Sequence, residues 1–384
     1  MTRRLCVLGA TGSVGSATLE IARTHPSRFE LAVLAAGNDD TTMTQLCAEF
    51  RPPLAIMNDE AAAQRLDRKL RAEHIPTRVT GGTEAVRTAP LEESCCTVVA
   101  AISGACGLPP VLTAAQNGLR LLLANKEALV IAGELVMNTA RANGAEVLPI
   151  DSEHAALFEL LAGNDEFEKL WLTASGGALS KLPLNQFDTV SPAQVLAHPT
   201  WSMGPKITVD SATMMNKALE VIEASVLFSA ASENIGVVLH PQSIVHALVE
   251  KNDGSLIAQL SSPDMRQPIA RMLSWPDDNT GFRQSPPKWE TLSSLTFAKP
   301  EATRYPCLQL ARDALAIGGA APAVLSAANE VAVTRFLRGD IKFTRIAHIN
   351  TEALEQYAHH AATTLEDLWA ADSSARLWAA EATA

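Results

Sequence analysis

Leu5-Cys6-Val7-Leu8-Gly9-Ala10-Thr11-Gly12-Ser13-Val14-Gly15 opens the chain with four apolar residues followed by a G-x-x-G-x-x-G turn. The apolar run has the length of a buried strand, and the residues after the turn read as a helix to about Thr24. Glycines let a backbone approach a pyrophosphate closely, and a helix N-terminus adds N–H donors and partial positive charge. Such spacing also marks plain structural turns. Its place between a strand and a helix is what points to a nucleotide.

The same rhythm continues downstream. Leu31 to Ala35 is a second strand ending at Gly37-Asn38-Asp39-Asp40, and Val98 to Ile102 is another, stopped by Gly104. Leu119 to Leu123 precedes Ala124-Asn125-Lys126-Glu127 and a long helix to Arg141, after which Asn143-Gly144 turns into a strand from Glu146 to Ile150. Continuous apolar strands between helices predict an α/β fold with a doubly wound (Rossmann-type) parallel sheet over residues 1–150. Beyond Asp151 the pattern changes. Ser243 to Glu250 and Ser255 to Leu260 flank Asn252-Asp253-Gly254, a hairpin signal, so residues 151–285 read as a central α+β domain. A Pro-rich linker at 286–306 and a C-terminal helical domain at 307–384 complete the expected organisation.

The 384 residues are 47% hydrophobic and carry a net charge of −11, which argues against nucleic acid or an anionic membrane as partner. An anionic ligand must therefore be held by local donors. Six cysteines without a C-x-x-C pair make structural zinc and a disulfide framework poor expectations, and no apolar run is long enough to span a membrane. A reduced, cytoplasmic protein is the expected setting.

His198 to Glu223 carries the densest chemistry. It reads as a Gly/Pro-containing loop with Trp201 as lid, a short β-branched strand at Ile207 to Val209, and a helix capped by Asp210 or Ser211. At about 100° per residue, Asn216, Lys217, Glu220 and Glu223 share one stripe of a helix otherwise apolar through Met214, Met215, Ala218, Leu219, Val221 and Ile222. Such a stripe serves a partner network, a polar ligand or solvent. Asp151-Ser152-Glu153 follows a strand, and in an extended conformation its two carboxylates lie on one side, suited to a hard divalent ion; capping of a helix explains the same residues. Thr173-Ala174-Ser175-Gly176-Gly177 is an anion nest or a plain loop. His240, His246, Asn329-Glu330 and His359-His360 read as structural or surface residues.

Together and in this order, these segments resemble the 1-deoxy-D-xylulose 5-phosphate reductoisomerase family. The likeness runs through Gly9 to Gly15, Leu123 to Val130, Leu148 to Phe158, Thr173 to Gly177, His198 to Glu223 and His240 to Val249. It implies NADPH and a divalent metal (Mg²⁺ or Mn²⁺) as cofactors, a phosphorylated sugar substrate and a homodimer, with the central domain catalytic. Asp151, Glu153 and Glu220 would be metal ligands, and Ser175, Ser211, Asn216 and Lys217 would hold the phosphate. Lys126, Ser152 and Glu153 would meet the reacting part of the substrate, and His198 the loop that closes on it. Thr11, Gly12, Ser13, Val14, Gly37, Asn38, Asp39, Asn125, Glu127 and Gly204 would line the cofactor.

The chain departs from the family after the second strand, where a basic residue usually follows the glycine and Asn38-Asp39-Asp40 stands instead. An acid there suits the free ribose hydroxyl of NADH, whereas the resemblance implies NADPH. A dehydrogenase of the semialdehyde class, which shares the Gly-Ala-Thr-Gly turn, would need a nucleophilic cysteine, and residues 151–306 contain none. A nucleotide-binding regulator would have no use for three carboxylates beside a phosphate-type set of Lys, Asn and Ser.

Overall fold

The computed structural model describes residues 2–163, 166–277, 281–357 and 362–383; His359-His360 lie outside them. Seven parallel strands form the first sheet: β1 (Arg3–Leu8), β2 (Phe29–Ala36), β3 (Leu54–Met57), β4 (Arg78–Gly81), β5 (Thr97–Ala100), β6 (Arg120–Leu123) and β7 (Val147–Pro149). Their order is β4-β3-β2-β1-β5-β6-β7, the doubly wound arrangement, with the winding reversing between β1 and β5. Leu5, Cys6, Val7 and Leu8 are fully buried, as a central strand covered by helices on both faces requires. β3 and β4, each four residues long, escaped the sequence reading. β4 is also an edge strand, so its side chains carry little apolar signal.

The chain divides into two compact units. The first comprises Met1–Ala128, Leu135–Ala155 and Asp264–Gln284, and the second Leu129–Glu134, Ala156–Pro263 and Ser285–Ala384. In the first, the late helix Arg266–Ser274 packs on the early helix Ser13–Thr24, and Arg266 Nη1 pairs with Glu20. In the second, β8 (Lys169–Ala174), β9 (Ile235–Leu239), β10 (Val245–Glu250) and β11 (Leu256–Leu260) form a mixed sheet of order β11-β10-β8-β9. β10 and β11 are the expected antiparallel hairpin, with Gly254 at φ +83° in its turn. The helix Met215–Leu227 packs on this sheet, and Cys307–Ile317 packs on that helix at the head of a helical layer that includes Ala321–Arg338 and Phe343–Tyr357, all within one hydrophobic core.

Two local expectations fail. Ile207 to Val209 is not a strand but part of the helix Pro205–Thr213. Gly204 takes the N-cap position and Pro205 the first turn, where a missing N–H costs nothing, and Lys206 pairs with Asp210 one turn on at 2.9 Å. These terms outweigh the β propensity of three branched residues. That helix ends at Met214, in the left-handed conformation (φ 62°, ψ 13°), and a second helix starts at Met215. The cap expected at Asp210 or Ser211 is therefore an intrahelical site.

The other failure is at Asp151. A helix begins at Ser152, and the Asp151 carbonyl already accepts from Ala155 N at 2.8 Å. The alternation that would align Asp151 with Glu153 therefore does not apply, and the capping alternative describes the backbone.

Candidate active site

In the first unit, the turn after β1 holds Gly9 at φ +84°, where an added Cβ would stand 2.5 Å from Ala101 O. A Cβ on Gly15 would stand 2.2 Å from Gly9 O, so the helix Ser13–Thr24 can start this close to the sheet only with glycine there. Gly12 is its N-cap and no side chain caps it, leaving the N–H groups around Ser13 and Val14 directed past the end of β1. Thr11, Gly12, Ser13 and Val14 thus form the kind of backbone cradle that pyrophosphate requires.

The loop after β2 is less acidic in effect than in composition. Asp39 caps the helix Asp40–Phe50, accepting from Thr42 N at 3.0 Å, and the Thr42 hydrogen bonds hold its carboxyl below the usual range. Asp40 accepts from Lys69 Nζ at 2.7 Å and Arg65 Nε at 2.9 Å, and with Lys69 foremost these cations lower its pKa. A Cβ on Gly37 would meet nothing, so the space beside it is open. Asn125, 2% exposed, caps the helix Lys126–Asn143 through Ala128 N at 2.9 Å, while its amide donates to Ile102 O at 2.6 Å and Gly104 O at 3.0 Å. Its visible role is to tie the ends of β5 and β6 together, and Asn125 Nδ2 also reaches Glu127 Oε2 at 3.2 Å.

Lys126 and Asp151 meet beyond β6 and β7, with Nζ 2.6 Å from Oδ2 and side chains 6% and 16% exposed. His154, which the sequence reading passed over, is fully buried one turn after Asp151, its Nδ1 4.0 Å from the same oxygen. The i,i+3 spacing of Asp151 and His154 at a helix start was the available signal. Ser152 Oγ donates to Glu153 Oε2 at 2.6 Å. Buried carboxylate oxygens already matched to a cationic side chain are the donor chemistry that hard divalent ions use.

The second unit holds the Ser175 loop and the helix pair that meets at Met214. Ser175, Gly176 and Gly177 follow β8, with the glycines at φ +90° and +71°. A Cβ on Gly177 would lie 2.6 Å from Ser211 O and 2.7 Å from Ala212 Cα, so the helix Pro205–Thr213 rests directly on the nest. That contact is what brings the Ser175 loop to the turn carrying Ser211. Tyr305 Oη pins the nest from outside by donating to Gly176 O at 3.0 Å, and no sequence signal singled it out. Ser175 Oγ accepts from Gly177 N at 3.2 Å and lies 3.0 Å from His198 Nε2. His198 Nδ1 accepts from Thr200 N at 3.2 Å and Trp201 N at 3.0 Å, so the proton sits on Nε2 and is donated to Ser175. Burial lowers the pKa of His198, in keeping with a neutral ring.

Met214 breaks the helix so that Asn216 and Lys217 open the next one. Lys217 and Glu220 are 3% and 1% exposed, with the ammonium on Glu220 Oε2 and the Asn216 amide on Oε1. Three members of the predicted stripe are thus joined. Glu223 is fully buried on the same helix, and Gly204 caps the preceding helix.

Comparisons with known proteins agree along the chain. Profiles described as 1-deoxy-D-xylulose 5-phosphate reductoisomerase, DXP reductoisomerase C-terminal domain and 1-deoxy-D-xylulose 5-phosphate reductoisomerase C-terminal domain match residues 5–133, 260–378 and 147–228 respectively. A 1-deoxy-D-xylulose 5-phosphate reductoisomerase of Cupriavidus metallidurans is 48% identical over 380 residues, covering 97% of this chain and 96% of that one. A crystal structure of DOX-P reductoisomerase in complex with NADPH, fosmidomycin and magnesium superposes with a TM-score of 0.93 at 40% identity, over 98% of this chain and 97% of that one. The Zymomonas mobilis enzyme in complex with NADPH gives 0.89 at 36% identity, over 99% and 98%.

Proposed function

Because the chain belongs to the 1-deoxy-D-xylulose 5-phosphate reductoisomerase family, we propose how its own residues divide the work of that reaction. The chain converts 1-deoxy-D-xylulose 5-phosphate into 2-C-methyl-D-erythritol 4-phosphate, a step of the non-mevalonate route to isoprenoid precursors. It uses NADPH and a divalent metal, magnesium being the ion in the solved DOX-P reductoisomerase complexes that superpose on it. The metal supplies Lewis acidity to adjacent substrate oxygens, and NADPH supplies hydride to the rearranged aldehyde.

The contact of Gly177 with Ser211 and Ala212 carries the phosphate assignment. Ser175 accepts from His198 and Gly177, so its own hydroxyl hydrogen can be given to a phosphate oxygen. Ser211, Asn216 and Lys217 add donors from the two helix ends that meet at Met214. Arriving phosphate would draw Lys217 away from Glu220, and Asp151, Glu153 and Glu220 are the carboxylates this reading would give to the divalent cation. Lys126, released from Asp151 in the same way, donates to a substrate oxygen and stabilises the charge that develops there. Ser152 orients the same region through its hydroxyl. His198 and Trp201 carry the loop over the substrate and exclude water. Thr11 to Val14 receive the pyrophosphate, and Gly37 to Asp39, Asn125, Glu127 and Gly204 line the rest of the dinucleotide.

No helix among the described residues is long and apolar enough to cross a membrane. A cytoplasmic homodimer that also accepts Mn²⁺ is the setting this reading favours. NADPH oxidation dependent on 1-deoxy-D-xylulose 5-phosphate, abolished by EDTA and restored by Mg²⁺, tests it in the purified chain. Lys217→Ala is expected to raise KM for the phosphorylated substrate strongly, and an unchanged KM contradicts the phosphate assignment.

A further inference from the structure

The cofactor site raises a question of charge that Arg65 and Lys69 answer. The 2′-phosphate of NADPH carries roughly two negative charges at neutral pH, and the loop after β2 offers it Asn38, Asp39 and Asp40. Both carboxylates have partners. Asp39 faces the N-terminus of its own helix, where a negative charge is stabilised. Asp40, 7% exposed, takes Arg65 on Oδ1 at 2.9 Å and Lys69 on Oδ2 at 2.7 Å. Lys69 Nζ reaches Thr41 Oγ1 as well, at 3.3 Å.

Two cations on one carboxylate leave this cluster with net positive charge. Both bases keep a large solvent-facing share, 44% for Arg65 and 41% for Lys69, whereas Asp40 keeps 10%. The face presented outward is therefore cationic. Backbone geometry fixes it beside the loop. Asn58 N donates to Ala36 O at 2.8 Å and Asp59 N to Gly37 O at 3.2 Å, so the turn that starts the helix Glu60–Ala72 is bonded to the end of β2. A Cβ on Gly37 would meet nothing within 4 Å, so the space beside that glycine is open.

We propose that Arg65 and Lys69 set cofactor specificity in this chain, accommodating the 2′-phosphate of NADPH from the helix after β3. This rests on the reading that the adenosine ribose docks along Gly37 to Asp39. The test is direct titration of the full chain, without substrate, with NADPH and with NADH, followed by nicotinamide fluorescence. Arg65→Gln combined with Lys69→Gln raises the Kd for NADPH roughly tenfold, as expected for loss of one or more charge-assisted hydrogen bonds, and leaves the Kd for NADH within about twofold. The dependence of NADPH binding on salt becomes shallower in the same variant. Should the double variant fail to fold around the orphaned Asp40, adding Asp40→Asn removes that charge and the same comparison is read. An unchanged Kd for NADPH, or parallel weakening of both nucleotides, overturns the proposal. Asn38→Lys separates the two readings. If it tightens NADPH alone while the Gln variant weakens nothing, only the role of Arg65 and Lys69 falls. If neither variant moves NADPH binding, the docking site itself is misplaced.

Discussion

Lys126 and Asp151 form an ion pair 2.6 Å long between side chains that are 6% and 16% exposed, contributed by the ends of β6 and β7. Each is predicted for a separate role, one toward substrate and the other toward metal, so the pair must open during turnover. Removing one partner of a buried pair strands the other charge, at a cost of about 3–5 kcal/mol. Lys126→Met is therefore expected to lower Tm in the presence of EDTA. Added Mg²⁺ should recover part of that loss, because the cation then neutralises Asp151. An equal Tm deficit with and without Mg²⁺ would remove Asp151 from the metal site.

Gly177 supplies a second test. At φ +71° and with a Cβ falling 2.6 Å from Ser211 O, Gly177→Ala must strain its own backbone or push the helix Pro205–Thr213 away. The strained conformation alone costs on the order of 1–3 kcal/mol. The displaced helix should raise KM for the phosphorylated substrate at least tenfold, with a much smaller effect on the Kd for NADPH. Equal loss of substrate and NADPH affinity would mean general unfolding instead.

Much of this was legible in the sequence, and the exceptions share a cause. Leu5 to Leu8 and the glycine turn dictate the doubly wound sheet because a buried parallel strand is apolar on both faces and few other contexts demand glycine at those spacings. The Asn216, Lys217, Glu220 stripe was legible because helical periodicity is local. Ile207 to Val209 misled because side-chain propensity pointed to a strand while Pro205 and the Lys206–Asp210 pair decided for a helix. The cation partners of Asp40 were illegible, since 25 and 29 residues separate it from Arg65 and Lys69. Only the pairing of β2 with β3 brings them together.

The loop from His198 should respond to pH. His198 Nδ1 accepts two backbone N–H groups while Nε2–H is donated to Ser175, an arrangement available only to the neutral ring. Burial lowers its pKa below the ordinary value of about 6.5. The undocked ring therefore binds a proton more readily than the docked one. Docking is fully favoured above about pH 6.5 and weakens as pH falls toward the lowered value. Proteolytic cleavage between His198 and Pro205 should accelerate from pH 7.5 to pH 5.5. His198→Gln should flatten that dependence. A cleavage rate in the native chain that ignores pH would show that His198 does not hold the loop.

The last prediction concerns residues that looked like packing. Asn329, fully buried on the helix Ala321–Arg338, donates to Asp210 Oδ1 at 2.8 Å and accepts from Asn350 Nδ2 at 3.1 Å. Asp210, 1% exposed, also holds Lys206, and its carbonyl accepts from Thr213 Oγ1 at 3.2 Å. Thr213 Oγ1 in turn accepts from Met215 N at 3.2 Å, across the break at Met214. One continuous chain of hydrogen bonds thus runs from the C-terminal helices to the joint that aims Asn216 and Lys217. The nearby Cys307 thiol is pushed up to about 12, by burial first and by the Asp210 charge second, so it stays protonated and neutral. Asn329→Leu keeps the volume but removes the donor that Asp210 relies on, at a cost of about 1–3 kcal/mol for an unsatisfied buried acceptor. Thermal unfolding should show that loss, and KM for the phosphorylated substrate should rise with it. Asn329→Asp brings two carboxylates together and should be worse, whereas adding Asp210→Asn restores an amide–carboxylate pair and should recover both quantities. If the double variant recovers Tm but KM stays at the native value throughout, Asn329 stabilises the helical layer without positioning the joint.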